Sequence, residues 1–346
     1  MRVDLFDFEL PPELIAQRPA EPRESARLLE VAEGPAEHRV ADLPGQLRPG
    51  DHLILNDTRV LPTRFFGRRG NATVEVTLVE RIDGRSWLCL ARPGKRLRLG
   101  ETVELAEGLA ADVAEKREDG FIRLDFALEE AELLAAIRRH GSMPLPPYIK
   151  RPRGGDARDL ADYQTVFGRR EGSVAAPTAS LHLTERLLDE LAARGVTWSF
   201  VTLHVGLGTF LPVKAEDTGG HRMHSEWWEV PEETATRVNA AREAGGRLVA
   251  VGTTVLRTLE TATDEAGVLR AGQGSTDIFI TPGHRFTSAD LLLTNFHLPR
   301  STLFMLVSAF AGLERMQGAY AFAIDRGYRF FSYGDACLLH RRRDSA

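Results

Sequence analysis

Residues 248–257 read Leu-Val-Ala-Val-Gly-Thr-Thr-Val-Leu-Arg, and this stretch decides the fold. Its four leading apolar residues predict a short strand that is buried on both faces. Gly252 follows the strand, and the next residues predict a helix from Thr254. A buried strand that leads directly into a helix is the repeating unit of an α/β layer with a largely parallel sheet.

The same alternation of buried strands and helices extends on both sides of this unit. Thr184 can cap a helix that Gly195 ends. The other predicted strands are 52–55, 198–205, 277–280, 291–296 and one that ends at 330–331, and the other predicted helices are 232–244 and one that begins near Thr302. The chain therefore predicts an α/β fold with a largely parallel sheet.

A different pattern fills the segment 72–128. Apolar residues alternate there with Thr and Glu, as at 74–78, and Asp-Gly and Pro-Gly pairs separate the short stretches. Several short strands at regular spacing predict a small barrel or sandwich. We therefore predict an inserted all-β, barrel-like domain at 65–147 within a discontinuous α/β catalytic domain formed by 1–64 and 148–346.

The composition is that of an ordinary globular protein and excludes some classes of function. The 346 residues include only two cysteines, Cys89 and Cys337, too few for a disulfide framework or a zinc cluster. The start of the chain has no signal-peptide core, and the longest apolar run, at 303–313, is too short to cross a bilayer. We therefore expect a cytoplasmic protein with no membrane contact, and we take it to be a monomer. Because the net charge is −5, any contact with nucleic acid has to come from local patches.

Polar and ionisable residues follow five of the predicted strands, and these strand ends define a candidate site. Ligands of open α/β sheets bind beyond the carboxyl ends of the strands, and a helix start such as 252–254 can hold an anion on its backbone amides. Each residue is also suited to an ordinary turn or cap, but their clustering favours a site. The candidates are Asn56, Asp57, Arg59, His204, Gly206, Gly208, Thr253, His297 and Asp335.

The stretch 221–226, His-Arg-Met-His-Ser-Glu, has three interpretations. Together with His204 or His297 it could ligate zinc, His224 and Glu226 could do acid–base chemistry, or the stretch could be plain surface. Since no helix is predicted to present both histidines on one face, we expect no metal. The chain also has no P-loop, and its Gly-Leu-Gly at 206–208 lacks the third glycine of a dinucleotide fingerprint.

Basic residues come in short clusters on the predicted insertion and on the loop that follows it. Taken singly, each cluster is typical of a solvated surface. Taken together, they supply the local density of cations that phosphate contacts require. The residues are Arg68, Lys95, Arg96, Arg98, Lys150 and Arg151.

A series of longer motifs runs in order through nearly the whole chain. They are Phe6-Asp7-Phe8-Glu9-Leu10-Pro11, Leu55-Asn56-Asp57-Thr58-Arg59-Val60, Ser173-Val174-Ala175-Ala176-Pro177-Thr178-Ala179, Thr202-Leu203-His204-Val205-Gly206-Leu207-Gly208, Met223-His224-Ser225-Glu226, Thr294-Asn295-Phe296-His297-Leu298-Pro299 and Tyr333-Gly334-Asp335-Ala336. On these motifs the chain resembles the S-adenosylmethionine:tRNA ribosyltransferase-isomerase family of queuosine biosynthesis. The resemblance implies an α/β domain that carries an inserted β-barrel.

The resemblance also implies a reaction, on tRNA that bears 7-aminomethyl-7-deazaguanine at the wobble position. The ribosyl part of the co-substrate S-adenosylmethionine is transferred to the aminomethyl nitrogen and rearranged to an epoxycyclopentane. Adenine and methionine leave, and the product is epoxyqueuosine-tRNA. Because the sulfonium acidifies the neighbouring carbon and the departing adenine needs a proton, the reaction requires a base and an acid but no metal or redox cofactor.

Together with this reaction, the positions of individual residues in the chain predict their roles. One of His204, His224 and Glu226 would supply the base, and Arg257 would grip the methionine carboxylate through two hydrogen bonds. The basic clusters would contact the tRNA. The other strand-end candidates, together with Thr178, His182 and Asn295, would bind substrate.

Some positions depart from the family's usual residues, and other functions remain as alternatives. The departures, at Ser180, Leu183, Leu211 and Val255, leave room for a divergent paralogue that modifies another nucleoside. An S-adenosylmethionine-dependent RNA methyltransferase would need a Gly-rich turn after the first strand and an acidic residue after the second, and we find neither. A non-enzymatic RNA-binding module would not explain ionisable residues at five strand ends.

Overall fold

The chain forms two compact units in the computed structural model, which describes residues 1–152, 155–206 and 215–342. The first, which we call the sheet unit, comprises Met1–Thr58, Thr165–Arg169 and Pro177–Ala346. The second, which we call the barrel unit, comprises Arg59–Gln164 and Arg170–Ala176. The predicted insertion at 65–147 falls inside the barrel unit, whose bounds are wider on both sides.

Strands and helices alternate in the sheet unit, whereas strands follow one another in the barrel unit. The strands are β1 (Arg27–Val31), β2 (Pro35–Arg39), β3 (His52–Asn56), β4 (Thr58–Val60), β5 (Arg64–Arg69), β6 (Ala72–Arg81), β7 (Ser86–Arg92), β8 (Thr102–Ala106), β9 (Leu109–Lys116), β10 (Ile122–Phe126), β11 (Arg170–Ser173), β12 (Thr197–Leu203), β13 (Glu226–Val230), β14 (Leu248–Val251), β15 (Gly272–Thr276), β16 (Leu291–Asn295) and β17 (Ala336–His340). The α-helices are α1 (Leu43–Gln46), α2 (Glu130–His140), α3 (Asp159–Asp162), α4 (Glu185–Ala193), α5 (Glu232–Glu243), α6 (Thr253–Ala262), α7 (Thr302–Ala311) and α8 (Leu313–Asp325).

The sheet unit is built on one mixed sheet with the strand order β15-β13-β12-β3-β14-β16-β17-β1-β2. The neighbours β12, β3, β14 and β16 run parallel, and β13 and β17 flank them in the antiparallel direction. β3, β14 and β16 are buried along their whole length, and their apolar side chains share a core with those of α4. The predicted α/β fold is confirmed, with the parallel strands at the centre of the sheet.

One predicted strand of this sheet is wrong. The sequence predicts a strand at 277–280, but the edge strand is β15, which ends at Thr276. Its backbone pairs with β13 so that Gly274 lies opposite Trp228, where an added Cβ would stand 3.7 Å from the indole. Backbone pairing and close packing against Trp228 hold this strand, which has no apolar pattern, so the apolar residues that follow it attract the prediction instead.

The helices begin where local signals predict. Thr184 Oγ1 accepts a hydrogen bond from Leu187 N at 3.2 Å and caps α4, and Gly195, with a φ of +76°, follows the helix before the chain enters β12. Gly252 occupies the cap position of α6 with a φ of +99°, which disfavours any residue with a side chain. Within the described ranges, no helix is both long enough and apolar enough to cross a membrane.

The barrel unit confirms the predicted all-β barrel. Six strands close in the order β10-β7-β6-β5-β8-β9. Burial alternates along β9 and β10, because every second side chain points into the barrel. α2 adds Leu133 and Ile137 to the same core. Gly141 then passes so close to the backbone of Pro62 that an added Cβ would lie 1.6 Å from its carbonyl oxygen, so only glycine fits there.

Candidate active site at the strand ends of the sheet unit

The candidate site lies along one edge of the mixed sheet. β3, β12, β14 and β16 all end at this edge because they run in the same direction. β13 and β17 run the opposite way, so Glu226 and Asp335 reach the same edge at the start of their strands. The predicted strand ending at 330–331 is wrong, since these residues lie outside the sheet, and Asp335 precedes a strand rather than following one.

A buried ion pair joins Glu226 to Arg257. Arg257 lies on α6, and the side chains of Arg257 and Glu226 are only 3% and 4% exposed. Arg257 Nη1 donates to Glu226 Oε2, and Gly206 N donates to Glu226 Oε1 at 2.9 Å. The carboxylate of Glu226 therefore holds both the guanidinium of Arg257 and the backbone of Gly206, which follows β12.

Arg257 keeps two donors that no described residue uses. Its Nε and Nη2 are buried without a hydrogen-bond partner among the described residues, and so is Thr254 Oγ1 one turn earlier on α6. A buried donor without an acceptor typically costs about 1–3 kcal/mol, and more when it is charged. The Nε and Nη2 hydrogens point to the same side of the guanidinium, which is the geometry that takes a carboxylate through two parallel hydrogen bonds. The free edge of Arg257 is thus suited to an anionic ligand.

His204 follows β12 and its ring is fixed from two sides. Its Nδ1 is hydrogen-bonded to Thr58 Oγ1 at 2.9 Å, and its ring stacks on that of Trp227 at 5.1 Å between centroids and 23° between planes. The His204 backbone N donates to Trp227 O, which ties the residue to β13. His204 is half-buried, so its position combines a fixed orientation with access to a ligand.

A chain of hydrogen bonds connects Thr178, Asn295 and His182 at the end of β16. Thr178 Oγ1 donates to Asn295 Oδ1 at 2.9 Å, and Asn295 Nδ2 donates to His182 Nε2 at 3.1 Å. Burial lowers the pKa of His182 from 6.5 to about 4, so its imidazole is neutral near pH 7. Ser180 lies between Thr178 and His182 in the sequence, and its buried hydroxyl has no partner in the described part of the chain.

This hydrogen-bonded chain lies beside the start of α6. A Cβ built on Gly252 would stand 3.7 Å from Ala179 Cβ and 3.5 Å from Thr254 Oγ1. The unpaired hydroxyl groups of Ser180 and Thr254 therefore belong to one neighbourhood at the sheet edge. Thr253, predicted to bind substrate, is the first residue of α6 and is almost fully buried.

Four other predicted site residues are bonded mainly to the protein itself. Asn56 joins β3 to β12, since its Nδ2 donates to Leu203 O at 3.0 Å and its Oδ1 accepts from Leu203 N at 3.2 Å. Asp57 accepts from Thr202 Oγ1 at 2.7 Å and pairs with Arg169 at 3.3 Å. These contacts are sufficient to explain both residues as supports of the strand ends.

His297 and Asp335 also have internal partners. His297 N donates to Tyr320 Oη at 2.9 Å, and burial lowers the pKa of the His297 imidazole from 6.5 to about 3. Asp335 accepts hydrogen bonds from Arg27 N at 3.0 Å and from Arg329 N at 2.8 Å. Both residues shape the edge on which the candidate site lies.

The remaining predictions for this site are not brought together. His224 is exposed, and in the described ranges it has no hydrogen bond to His204 or Glu226. Arg59 is exposed and belongs to the barrel unit, and Gly208 and Leu211 lie outside the described residues. The described residues contain no group of three or more His, Cys, Asp or Glu side chains that could hold a metal ion, and a metal-free reaction remains a prediction.

Sequence reasoning missed Trp227, which fixes the ring of His204, and the unpaired hydroxyl of Thr254. Trp227 follows the motif 223–226 directly, so the end of that motif is the signal that points to it. The free hydroxyl of Thr254 has no sequence signal, since only the packing reveals which donors lack partners.

The predicted tRNA-binding residues all lie in the barrel unit. Arg68 is on β5, and Lys95, Arg96 and Arg98 lie between β7 and β8, all exposed. Lys150 is also exposed. Arg151 differs, because its side chain is only 8% exposed and its Nε and Nη2 both donate to Asp159 at 2.8 Å. Its charge is thus already neutralised.

Known proteins resemble this chain over nearly its whole length. The family model described as queuosine biosynthesis protein matches residues 3–339. The S-adenosylmethionine:tRNA ribosyltransferase-isomerase of Rhodospirillum rubrum is 59% identical over 345 residues, which cover 99% of each chain. The protein of the same name from Azorhizobium caulinodans is 58% identical over 354 residues, which cover 99% of this chain and 100% of that one. A crystal structure of the S-adenosylmethionine tRNA ribosyltransferase from Thermotoga maritima is 37% identical, with a TM-score of 0.55, and covers 96% of this chain and 99% of that chain. This chain therefore belongs to the family of queuosine biosynthesis proteins.

Proposed function

We propose that this protein is an S-adenosylmethionine:tRNA ribosyltransferase-isomerase that acts as a cytoplasmic monomer. It transfers the ribosyl part of S-adenosylmethionine to the aminomethyl nitrogen of 7-aminomethyl-7-deazaguanine at the tRNA wobble position. It then isomerises this group to the epoxycyclopentane of epoxyqueuosine, and adenine and methionine leave. The observation that carries the proposal is the end-to-end identity of 59% to a relative with this name. No metal or redox cofactor takes part.

The sheet edge supplies a place for the methionine part of the co-substrate. Nε and Nη2 of Arg257 donate two hydrogen bonds to the methionine carboxylate, and the hydroxyl of Thr254 can donate a third. Because Glu226 holds Arg257 Nη1 and Gly206 N, it positions the arginine rather than acting as the base. The methionine carboxylate supplies the acceptors that the described residues do not provide for the buried guanidinium of Arg257.

His204 is the base in this proposal. It removes the proton from the carbon beside the sulfonium, and Thr58 and Trp227 hold its ring for that purpose. His224 is exposed, and among the described residues no side chain is hydrogen-bonded to it, which argues against it as the base. His182 and His297, with pKa values near 4 and 3, are neutral near pH 7 and serve as hydrogen-bonding groups, not as proton donors to adenine.

The products distinguish this function from its alternatives. tRNA that bears the aminomethyl base is incubated with S-adenosylmethionine and the protein, and its nucleosides are analysed by mass spectrometry. We expect epoxyqueuosine in the tRNA, with adenine and methionine released in equal amounts. S-adenosylhomocysteine as the product would contradict the proposal and indicate a methyltransferase. Equal release with tRNA that lacks the aminomethyl base would indicate the divergent paralogue.

A further inference from the structure

A groove on the barrel unit combines cations with apolar surface. One wall is the outward face of β5, β6 and β7, and the other is the proline-rich segment 142–152 that follows α2, together with Gly155 and Asp159. The groove has a volume of about 520 Å³. Apolar side chains from both walls line it, including Phe66, Met143 and Leu145. The groove is large enough to accept a flat aromatic ring together with part of the flexible backbone to which such a ring is attached.

The outward face of β5 places an aromatic ring between two cations. Burial alternates along this strand, so Arg64, Phe66 and Arg68 point to the same side. The pairing of the strands sets Phe66 opposite Glu75, and Glu75 opposite Arg92 on β7. Phe66 is 37% exposed, although it stands on a strand of a closed barrel that keeps its position fixed. A fixed, exposed ring next to guanidinium groups is a platform on which a base can stack.

The charge of the groove is positive although the protein as a whole is negative. Both lining carboxylates pair with lining arginines, Glu75 with Arg64 at 2.7 Å and Asp159 with Arg151 at 2.8 Å. Arg68 and Arg92 have no ion-pair partner within the described chain, and Arg96 binds only the carbonyl of Thr73. The lining therefore attracts a polyanion.

We propose that this groove binds an unpaired nucleotide of the tRNA, with its base stacked on Phe66 and the adjacent phosphates on Arg68, Arg92 and Arg96. The inference rests on the proposed function, which makes tRNA the substrate. Because the reacting base has to enter the site of the sheet unit, the nucleotide in this groove is a different one of the same RNA. A base-paired stem cannot fill the groove, since its bases are stacked within the helix. The groove thus selects a loop over a stem.

Stacking is tested with 2-aminopurine, placed at one unpaired position at a time in an anticodon stem-loop RNA. We expect the wild-type protein to quench the fluorescence at one or two of these positions. Phe66→Ala should abolish this quenching and weaken binding about 5- to 150-fold, the range that one base–aromatic stack typically contributes. Leu99→Ala is the matched control, because Leu99 is 65% exposed in the same unit but lies outside the groove.

The phosphate contacts are tested by the salt dependence of binding. Arg68→Ala with Arg92→Ala should lower the slope of log Kd against log salt by about 1.4, at roughly 0.7 for each contact to a single strand. Arg139→Ala removes an exposed arginine of the same unit outside the groove and should leave the slope unchanged. Wild-type affinity and quenching in Phe66→Ala would overturn the proposal and leave the groove to a partner other than RNA. If adenine release fails while quenching that depends on Phe66 persists, the proposed reaction is wrong and the groove still binds RNA.

Discussion

The sequence predicts different roles for Arg257 and Glu226, carboxylate binding for the first and acid–base chemistry for the second. In the structure the two side chains form one ion pair. Glu226 takes Nη1 of the arginine and leaves Nε and Nη2 to a ligand. A buried ion pair alone contributes little, because desolvation of two charges offsets their attraction. The arrangement becomes favourable when an anion fills the remaining edge, so the pair is built for binding more than for folding.

Arg257→Lys should raise KM for S-adenosylmethionine about 10- to 100-fold, because lysine keeps the charge but cannot form two parallel hydrogen bonds. Glu226→Gln should have a similar effect, since Arg257 and Gly206 donate to different carboxylate oxygens, and glutamine loses the charge and has an NH2 donor in place of one of these oxygens. Steady-state kinetics and thermal unfolding check both variants. Arg237→Lys, at an arginine that is 52% exposed on α5, is the control. An unchanged KM in Arg257→Lys would show that the carboxylate binds elsewhere.

His204→Gln should lower turnover about 10²- to 10⁴-fold, the usual contribution of a general base, while tRNA affinity and folding are retained. Trp227→Phe keeps a stacking ring and should have a small effect. His224→Gln is the comparison, because this exposed histidine should tolerate the change. Single-turnover release of adenine is the measurement. If His204→Gln, His224→Gln and Glu226→Gln all keep near-normal turnover, the base is another group, and Asp57, His297 and Asp335 become the candidates.

The segment between β7 and β8 is held rigidly enough to present its cations. Lys116 Nζ, on β9, donates to the carbonyl groups of Gly94 at 3.2 Å and Leu97 at 2.9 Å, which fixes the turn that carries Lys95 and Arg96. Lys95 and Arg98 are exposed. A fixed turn with exposed cations suits contacts of Lys95 and Arg98, which lie outside the groove, to the phosphate backbone of a tRNA stem.

Charge reversal of this segment tests that contact. Lys95→Glu, Arg96→Glu and Arg98→Glu together should weaken tRNA binding. They should also lower the slope of log Kd against log salt by about two to three, since each phosphate contact contributes roughly 0.7 on a single strand and 0.9 on a duplex. Binding of S-adenosylmethionine should stay the same, because its proposed site is on the sheet unit. Filter binding at several salt concentrations gives the slope. An unchanged slope would move the tRNA face away from these residues.

The sequence predicts central elements better than edges. β3, β14 and β16 are continuous apolar runs because both faces are covered, and each is predicted within one or two residues. β2 is exposed along its length and β15 is rich in glycine, so neither has a pattern to detect. The same limit applies to the site, where Asn295 and His182 meet across 113 positions and only folding brings them together.

The molecule divides its chemistry between two units of different character. The sheet unit buries ionisable groups at its strand ends, among them His182 and His297, whose pKa values burial lowers. The barrel unit exposes its cations, so a protein with a net charge of −5 still has a surface that suits nucleic acid. We therefore expect that mutations in the sheet unit change the binding of S-adenosylmethionine and that mutations in the barrel unit change the binding of tRNA, each without the other.

Burial of neutral histidines makes the stability of the whole protein depend on pH. His52 lies at the start of β3, away from the candidate site, with its ring nitrogens bonded to Thr197 Oγ1 at 2.7 Å and Ser199 Oγ at 2.9 Å. Burial, with a smaller effect from Arg237, lowers the pKa of His52 from 6.5 to about 4. The unfolded chain therefore takes up a proton between pH 6.5 and 4 that the folded protein refuses, and stability is lost as pH falls through this window.

The free energy of unfolding in urea should fall between pH 7 and pH 5, with His52 contributing about 2 kcal/mol of that fall. Most carboxylates titrate below pH 5, so this interval isolates the histidines. His52→Gln should be less stable at pH 7, but its unfolding free energy should depend less on pH over the same interval. His140→Gln changes an exposed histidine of the barrel unit and should keep the wild-type slope. Equal slopes in His52→Gln and the wild type would mean that His52 takes up its proton in the folded protein, and the acid sensitivity would then have to come from His182 and His297.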